Sequence, residues 1–260
     1  FAAEGLKDKQ NENVKLETIT KVLTAAAQSD DNFTIDENTD ILATYRDRVI
    51  DAYFVDFEGK KVGESMNLGK DDLKNIQVAS TSDLKKQNDI IKKIEKGDAD
   101  AAKSLRLPVY VFDINAQTIT VLPIYGAGLW GPVWGYLAFA QDGRSIDGAI
   151  FDHKSETPGL GAKIAEEPFY GQFKGHKLTD EGGFSVVKGG AHGDINSVDA
   201  ISGASITSQA VGTTINIWMK YYLPYLNSLA EKNAAAQQLD AETEDEAALE
   251  AAEAENKEEE

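Results

Sequence analysis

The chain has 260 residues, a formal net charge of −18, 42% hydrophobic and 8% aromatic residues, and no cysteine. This length and apolar content support a globular core, in one large domain or two small ones. The acidity argues against nucleic acid and anionic membrane surfaces as partners; the lack of thiols excludes disulfides and cysteine-ligated clusters, so a redox role needs an organic cofactor or a metal with other ligands.

No stretch approaches the roughly 18 uninterrupted apolar residues that a membrane span needs. The chain opens with Phe1 rather than Met, which leads us to expect further sequence upstream: a signal peptide, a membrane anchor or other residues. Leu16, Ile19, Val22, Leu23 and Ala26 fall at helical spacing and predict an amphipathic helix over 12–28. Residues 30–107 are polar and mixed, with a strand-like stretch at Val49–Val55 and a charged helical stretch from Asp83 to Ala101. Nothing in that region suggests chemistry.

The next section predicts sheet. Pro108–Phe112 and Thr118–Ile124 are β-branched and aromatic. Tyr136–Ala140, Asp142-Gly143 and Ile146–Phe151 form a hairpin pattern, and a shorter strand is expected at Phe184–Val187. The last regular element begins near Ser205. Val211, Ile215, Trp218, Tyr222 and Tyr225 step by four and three, the buried stripe of a helix, which Pro224 is expected to kink or end. Residues 231–260 hold 12 acidic and 2 basic side chains. With few large apolar residues beyond Asn227, they are expected to be nascent helix at most, unable to bury a core, and so a solvated, disordered tail. Strands and helices without strict alternation predict an α+β fold with a largely antiparallel sheet flanked by helices.

Ser202-Gly203-Ala204-Ser205-Ile206-Thr207-Ser208 places four hydroxyls and a glycine at the start of the last helix. Unpaired N–H groups and the positive end of the helix dipole favour a phosphate there. Serine and threonine are also favoured there as simple N-caps, which is the preferred reading from the residues alone. His153, His176 and His192 lack a metal-ligand spacing, and no metal site is expected.

Asp199-Ala200-Ile201-Ser202-Gly203-Ala204-Ser205 resembles the flavinylation motif of FMN-binding domains, Asp-x-x-(Ser/Thr)-Gly-Ala-Thr. Glu156-Thr157-Pro158-Gly159-Leu160-Gly161 resembles the Glu-Thr-Pro-Gly-Leu-Gly loop of the same domains, about 45 residues upstream as in that family. Pro123–Gly131, with Gly126-Ala127-Gly128-Leu129-Trp130, is similar to the Gly-x-Gly-Leu-Trp segment of the NqrC family, the FMN-binding subunits of the sodium-translocating NADH:quinone reductase. The G-type subunit of the Rnf complex shares the flavin motifs but is shorter and lacks this tryptophan-bearing pattern. The resemblance is strong over residues 108–226 and looser through the first helix; the acidic tail is not part of it.

Resemblance and composition together give a domain plan: residues 1–30 as a membrane-proximal helix and 31–227 as an FMN-binding domain with a polar insertion in its first half, as the resemblance implies, and 228–260 as the acidic, disordered tail that composition predicts. The resemblance implies covalent FMN, its phosphate joined by a flavin transferase to the hydroxyl matching the family's last motif position, Ser205. The family has threonine there, so Thr207 stays open as an alternative acceptor. Ser202, Gly203, Ala204 and Thr207 would then serve the phosphate. Trp130 and Leu160 would wall the ring, Gly159 and Gly161 would allow close approach, and Glu156, Thr157 and Lys163 would reach its polar edge. Trp134 and Trp218 are expected in the core.

The implied role is an electron carrier with no catalytic side chain of its own, in a membrane complex passing electrons from NADH toward a quinone with sodium export. The domain would face the periplasm, tied to the inner membrane by an upstream anchor, with the other subunits as partners. The rival readings are a G-type FMN subunit of an Rnf complex and a non-redox module that binds a free anion.

Overall fold

The computed structural model describes residues 2–66, 73 and 75–258. The first helix, α1 (Ala2–Ala27), is followed by α2 (Ile41–Arg48), β1 (Val49–Val55), β2 (Lys61–Val62) and α3 (Thr81–Glu95). Four long strands come next, β3 (Leu107–Ile114), β4 (Gln117–Ala127), β5 (Pro132–Phe139) and β6 (Ile146–His153). The chain closes with short α4 (Glu167–Tyr170), β7 (Ser185–Val187), β8 (Ser197–Asp199) and long α5 (Ser205–Glu258). The six-stranded sheet runs β2-β1-β3-β4-β5-β6, and every neighbouring pair in it is antiparallel. β7 and β8 make a separate parallel pair.

Helices cover both faces of this sheet, which is why its strands read as near-continuous apolar runs. Tyr110, Phe112, Ile119, Val121, Tyr136 and Ala138 pack with Ile19, Val22, Leu23 and Ala26 of α1 and Tyr45 of α2. The alternate residues Val109, Leu122, Ile124, Val133, Leu137 and Phe151 pack with Leu84 and Ile91 of α3 and with the α5 stripe Val211, Ile215, Trp218 and Tyr222. The α5 stripe therefore lies where its spacing predicts, and Trp218 is fully buried. Its indole N–H donates to the Tyr125 carbonyl at 2.6 Å, and the Tyr222 hydroxyl donates to the Pro108 carbonyl at 2.7 Å. These bonds fix α5 against the end of β4 and the start of β3.

Several elements differ from the sequence reading. The region 31–107 is not only a polar insertion: β1 lies between β2 and β3 and sends Ala52 and Val55 to opposite cores. α2 went unread; Asp40 caps it, accepting from the Ala43 N–H at 3.0 Å. The charged stretch at 83–101 divides at Gly97, whose φ of +97° ends α3 before a short 3-10 segment, Ala99–Ser104. Leu16 is exposed rather than part of the α1 stripe.

The tail is helical rather than irregular. Pro224 sits inside α5, and the helix continues to Glu258 instead of giving way to disorder. Ala, Glu, Gln and Leu are strong helix formers, and a docked helix has already met the cost of nucleation. Residues 234–243 are nonetheless exposed throughout, so the extension adds little buried surface. A chain ending at Lys232 should keep the thermal midpoint of the full chain to within about 2 °C. A drop of roughly 6 °C or more in a calorimetric scan would mean that the extension docks on the domain.

Candidate functional site

Three loops meet at one end of the sheet. β4 and β5 are joined there by Gly128–Gly131, with Ala127 opposite Pro132, and β6 arrives at the same end with His153 opposite Val133. The chain then turns through Ser155–Leu160, and α5 begins close by, because Gly203 lies against Leu160: a Cβ on Gly203 would come 3.3 Å from Leu160 Cδ2. Lys21 anchors α1 on Asp152 beside this end. Burial works against the Lys21 charge, but hydrogen bonds to Asp152 and Glu17 outweigh it and raise its pKa above the ordinary lysine value.

Glu156 stands at the junction. It is a buried carboxylate, 4% exposed, with a partner for each oxygen. Oε1 accepts the Trp130 backbone N–H at 2.9 Å, and Oε2 accepts the Thr207 hydroxyl at 2.8 Å. Its own N–H donates to His153 Nδ1 at 3.2 Å, which requires that nitrogen to be unprotonated. The neighbouring Ser155 hydroxyl donates to the Trp130 carbonyl at 2.9 Å. Both backbone polar groups of Trp130 are thus held by consecutive residues, while its side chain stands largely in solvent, the residue being 66% exposed. The carboxylate needs close backbone approach: a Cβ at Gly128 would lie 2.5 Å from Oε1, and one at Gly161 would lie 2.5 Å from Oε2 and 2.8 Å from Thr207 Oγ1.

The start of α5 is held by a second set of bonds. Ser208 Oγ accepts from the Ile201 N–H at 3.0 Å and donates to the Ala204 carbonyl at 2.9 Å. Gly203 adopts φ +78°, a conformation strained for other residues. Ala204, Thr207 and Ser208 are buried, whereas Ser202 is exposed and Ser205 half-buried. Among the described residues neither Ser202 nor Ser205 has a hydrogen-bond partner for its hydroxyl. Leu129, Trp130, Leu160 and Ile206 leave 46%, 66%, 44% and 62% of their surface uncovered.

The structure brings these motifs together and turns some of their side chains inward and others outward. Glu156 and Thr207 do not face outward toward a cofactor; they satisfy each other in the interior. Gly161 is buried behind them and gives clearance to Glu156 and Thr207. Thr157 shapes its loop through its carbonyl, which accepts from the Leu160 and Ala162 N–H groups at 3.1 Å each. Gly159, at φ +74°, completes the turn. Lys163 is exposed, with no ion pair among the described residues. Trp134 is half-buried against α1, with Lys21 Nζ 5.6 Å from its ring centre. The Glu156 clamp has no short-range signature, since its partners are 26 and 51 residues away.

The model of the FMN-binding domain family matches residues 128–220, a span that begins at the Trp130 loop and includes both other segments of the site. The NqrC protein of the Na(+)-translocating NADH-quinone reductase from Vibrio vulnificus is 30% identical over 227 residues, covering 84% of this chain and 82% of that protein. Its counterpart from Neisseria meningitidis serogroup B is 32% identical over 215 residues, 78% of each chain. The chain belongs to the NqrC family of Na(+)-translocating NADH-quinone reductase subunits. The crystal structure of the NqrC protein from Parabacteroides distasonis superposes with a TM-score of 0.65 at 28% identity, covering 85% of this chain and 96% of that one. The Shewanella oneidensis NqrC structure, at 24% identity and a TM-score of 0.63, shares the fold.

The residues of this NqrC family member fit a flavin monophosphate. An unengaged hydroxyl stands at a helix N-terminus, where N–H groups favour phosphate, and large apolar side chains beside it have no cover, as expected of a binding surface. Glu156→Ala strands the Trp130 N–H and the Thr207 hydroxyl and should cost about 2–3 kcal/mol of stability. Glu156→Gln can accept from one and donate to the other, and should cost less than about 1 kcal/mol. Denaturant unfolding of the two variants checks this, and equal losses would contradict the clamp.

Proposed function

We propose that this chain is the covalent-FMN electron carrier of a Na(+)-translocating NADH-quinone reductase, with the flavin phosphate esterified to Ser205 Oγ. The observation that carries the acceptor assignment is the different environment of two hydroxyls two residues apart. Thr207 is 1% exposed and committed to Glu156, while the half-buried Ser205 hydroxyl has no partner among the described residues. Roughly 100° per residue separates the two around the helix, so a group on one does not share the surroundings of the other. Ser205 also occupies the last position of the motif, directly after the small residues Gly203 and Ala204.

The FMN supplies reversible redox chemistry when bound, and the chain's own residues bind, orient and shield it. The first turn of α5 offers N–H groups and the positive end of its dipole to the phosphate. Ser202 is exposed beside it as a further donor. Trp130, Leu160, Leu129 and Ile206 offer apolar surface for the ring. Lys163 is the cation at hand to favour added negative charge on a flavin. No side chain needs to act as acid, base or nucleophile in turnover.

The remainder of the proposal follows the family. A flavin transferase joins the FMN, the other subunits exchange electrons with it between NADH and quinone, and the domain sits on the periplasmic side beside an anchor upstream of α1. No helix among the described residues is long and apolar enough to cross a membrane. The relatives named above are NqrC proteins, which favours this reading over a G-type Rnf subunit or a non-redox anion-binding module.

Co-expression with a flavin transferase, followed by intact mass and peptide mapping, tests the assignment. Ser205→Ala should lose all covalent flavin, Thr207→Ala should keep at least part of it, and Ser205→Thr should label well. A modified Thr207 with Ser205 free would overturn the acceptor assignment. A chain that stays colourless with an active transferase would overturn the function.

A further inference from the structure

A groove of about 710 Å³ runs between α3 and the β4–β5 corner. Its wall includes Gly128 and Gly131, the ends of the same loop that carries Trp130. Along α3 its lining includes one helical stripe, Thr81, Lys85, Asn88 and Lys92, and Lys154, just beyond β6, lines it as well. Three lysines therefore face one carboxylate, Asp89, in a chain whose net charge is −18.

Those lysines are not consumed by the fold. Lys92 lies 3.8 Å from Asp89, a loose exposed pair. With the Asn88 amide in the orientation that satisfies both its ends, Asn88 donates to the Tyr125 carbonyl at 2.9 Å and accepts from Lys92 at 3.3 Å. Buried Asn88 thus steadies Lys92 over the groove. Lys85 and Lys154 are exposed and have no ion-pair partner among the described residues. By contrast Lys60, Lys86 and Lys103, outside the groove lining, each have a carboxylate within 3.0 Å.

We infer that this groove is a docking site for an acidic segment of another member of the complex, placed so that the bound partner abuts the Trp130 loop. The inference rests on the proposed function for the identity of the partner but not for the existence of the site. Charge complementarity selects an anionic occupant, and in a strongly acidic chain a local basic groove also orients the approach. The groove's mixed lining, with Thr81 and Asn88 beside the lysines and Tyr125 and Pro132 as apolar surface, suits a peptide segment bearing carboxylates. A lipid surface would find three lysines against a repulsive total charge. Docking here would bring a partner to the backbone that supports the exposed ring of Trp130, while leaving Ser205 outside the interface.

Carbodiimide cross-linking of the assembled complex, which joins a lysine amine directly to a carboxylate in contact with it, tests the site. Peptide mapping should find Lys85, Lys92 or Lys154 joined to Asp or Glu of another protein of the complex, with yields falling as salt screens the contact. The variant K85Q/K92Q/K154Q should associate with the remaining subunits about tenfold more weakly. The control K60Q/K86Q/K103Q, which removes the same charge, should associate normally. Covalent flavin content, read by absorbance of the isolated chain, should be equal in both variants. Links confined to this chain, or equal weakening by the control, would overturn the inference. So would loss of binding to phosphatidylglycerol vesicles with assembly of the complex intact, and loss of flavin from the groove variant would reassign the groove to the cofactor. Absence of flavin from every form would strike the proposed function and not the docking site, whose cross-links are read without it.

Discussion

One buried carboxylate holds the site together. Glu156 joins the corner between β4 and β5 to the first turn of α5, two segments that the sheet alone would leave independent. A charge taken out of water is stable only when its lone pairs are met by donors, and here a backbone N–H and a hydroxyl meet one oxygen each. The consequences extend outward from that bond pair. Thr207 turns inward, Trp130 is gripped by its backbone so that its ring stands in solvent, and Gly128 and Gly161 must lack side chains to let the carboxylate lie between them.

This arrangement separates two tasks that the motif residues share in sequence. Glu156, Thr207, Ser208 and Gly161 build the support, and Ser205, Ser202, Trp130 and Leu160 form the surface it presents. Rigid backing with an open, apolar front suits the covalent attachment proposed above, because a covalent bond removes the need for an enclosing pocket. Ser205 accordingly stands half-buried at the edge of that front, beside exposed Ser202 and Ile206. An exposed cofactor is reachable by partners from more than one side, as a carrier requires.

The sequence carried much of this architecture in its periodicities. The α5 stripe, the hairpin around Asp142-Gly143 and the long strands follow from apolar spacing and turn residues, since local patterning decides those elements. α2 escaped because its eight residues bury only Tyr45, too little to show a period. The Ala/Glu-rich end of α5 is solvated over residues 234–243, as its composition predicts, and its helical structure needs only continuity with a docked segment. At the site, motif resemblance placed the loops in one neighbourhood but gave no direction for each side chain. Whether Glu156 points at a cofactor or at Thr207 depends on a contact spanning 51 residues, and no local pattern encodes it.

Amide hydrogen exchange at Trp130 tests the clamp most directly, because that N–H is in a solvent-facing loop and its acceptor is the Glu156 carboxylate. The structure predicts slow exchange in the wild-type chain, comparable to the flanking strands, and fast exchange in Glu156→Ala with the β4–β5 ladder still protected. Fast exchange at Trp130 in the wild-type chain, or protection unchanged in Glu156→Ala, would contradict the account.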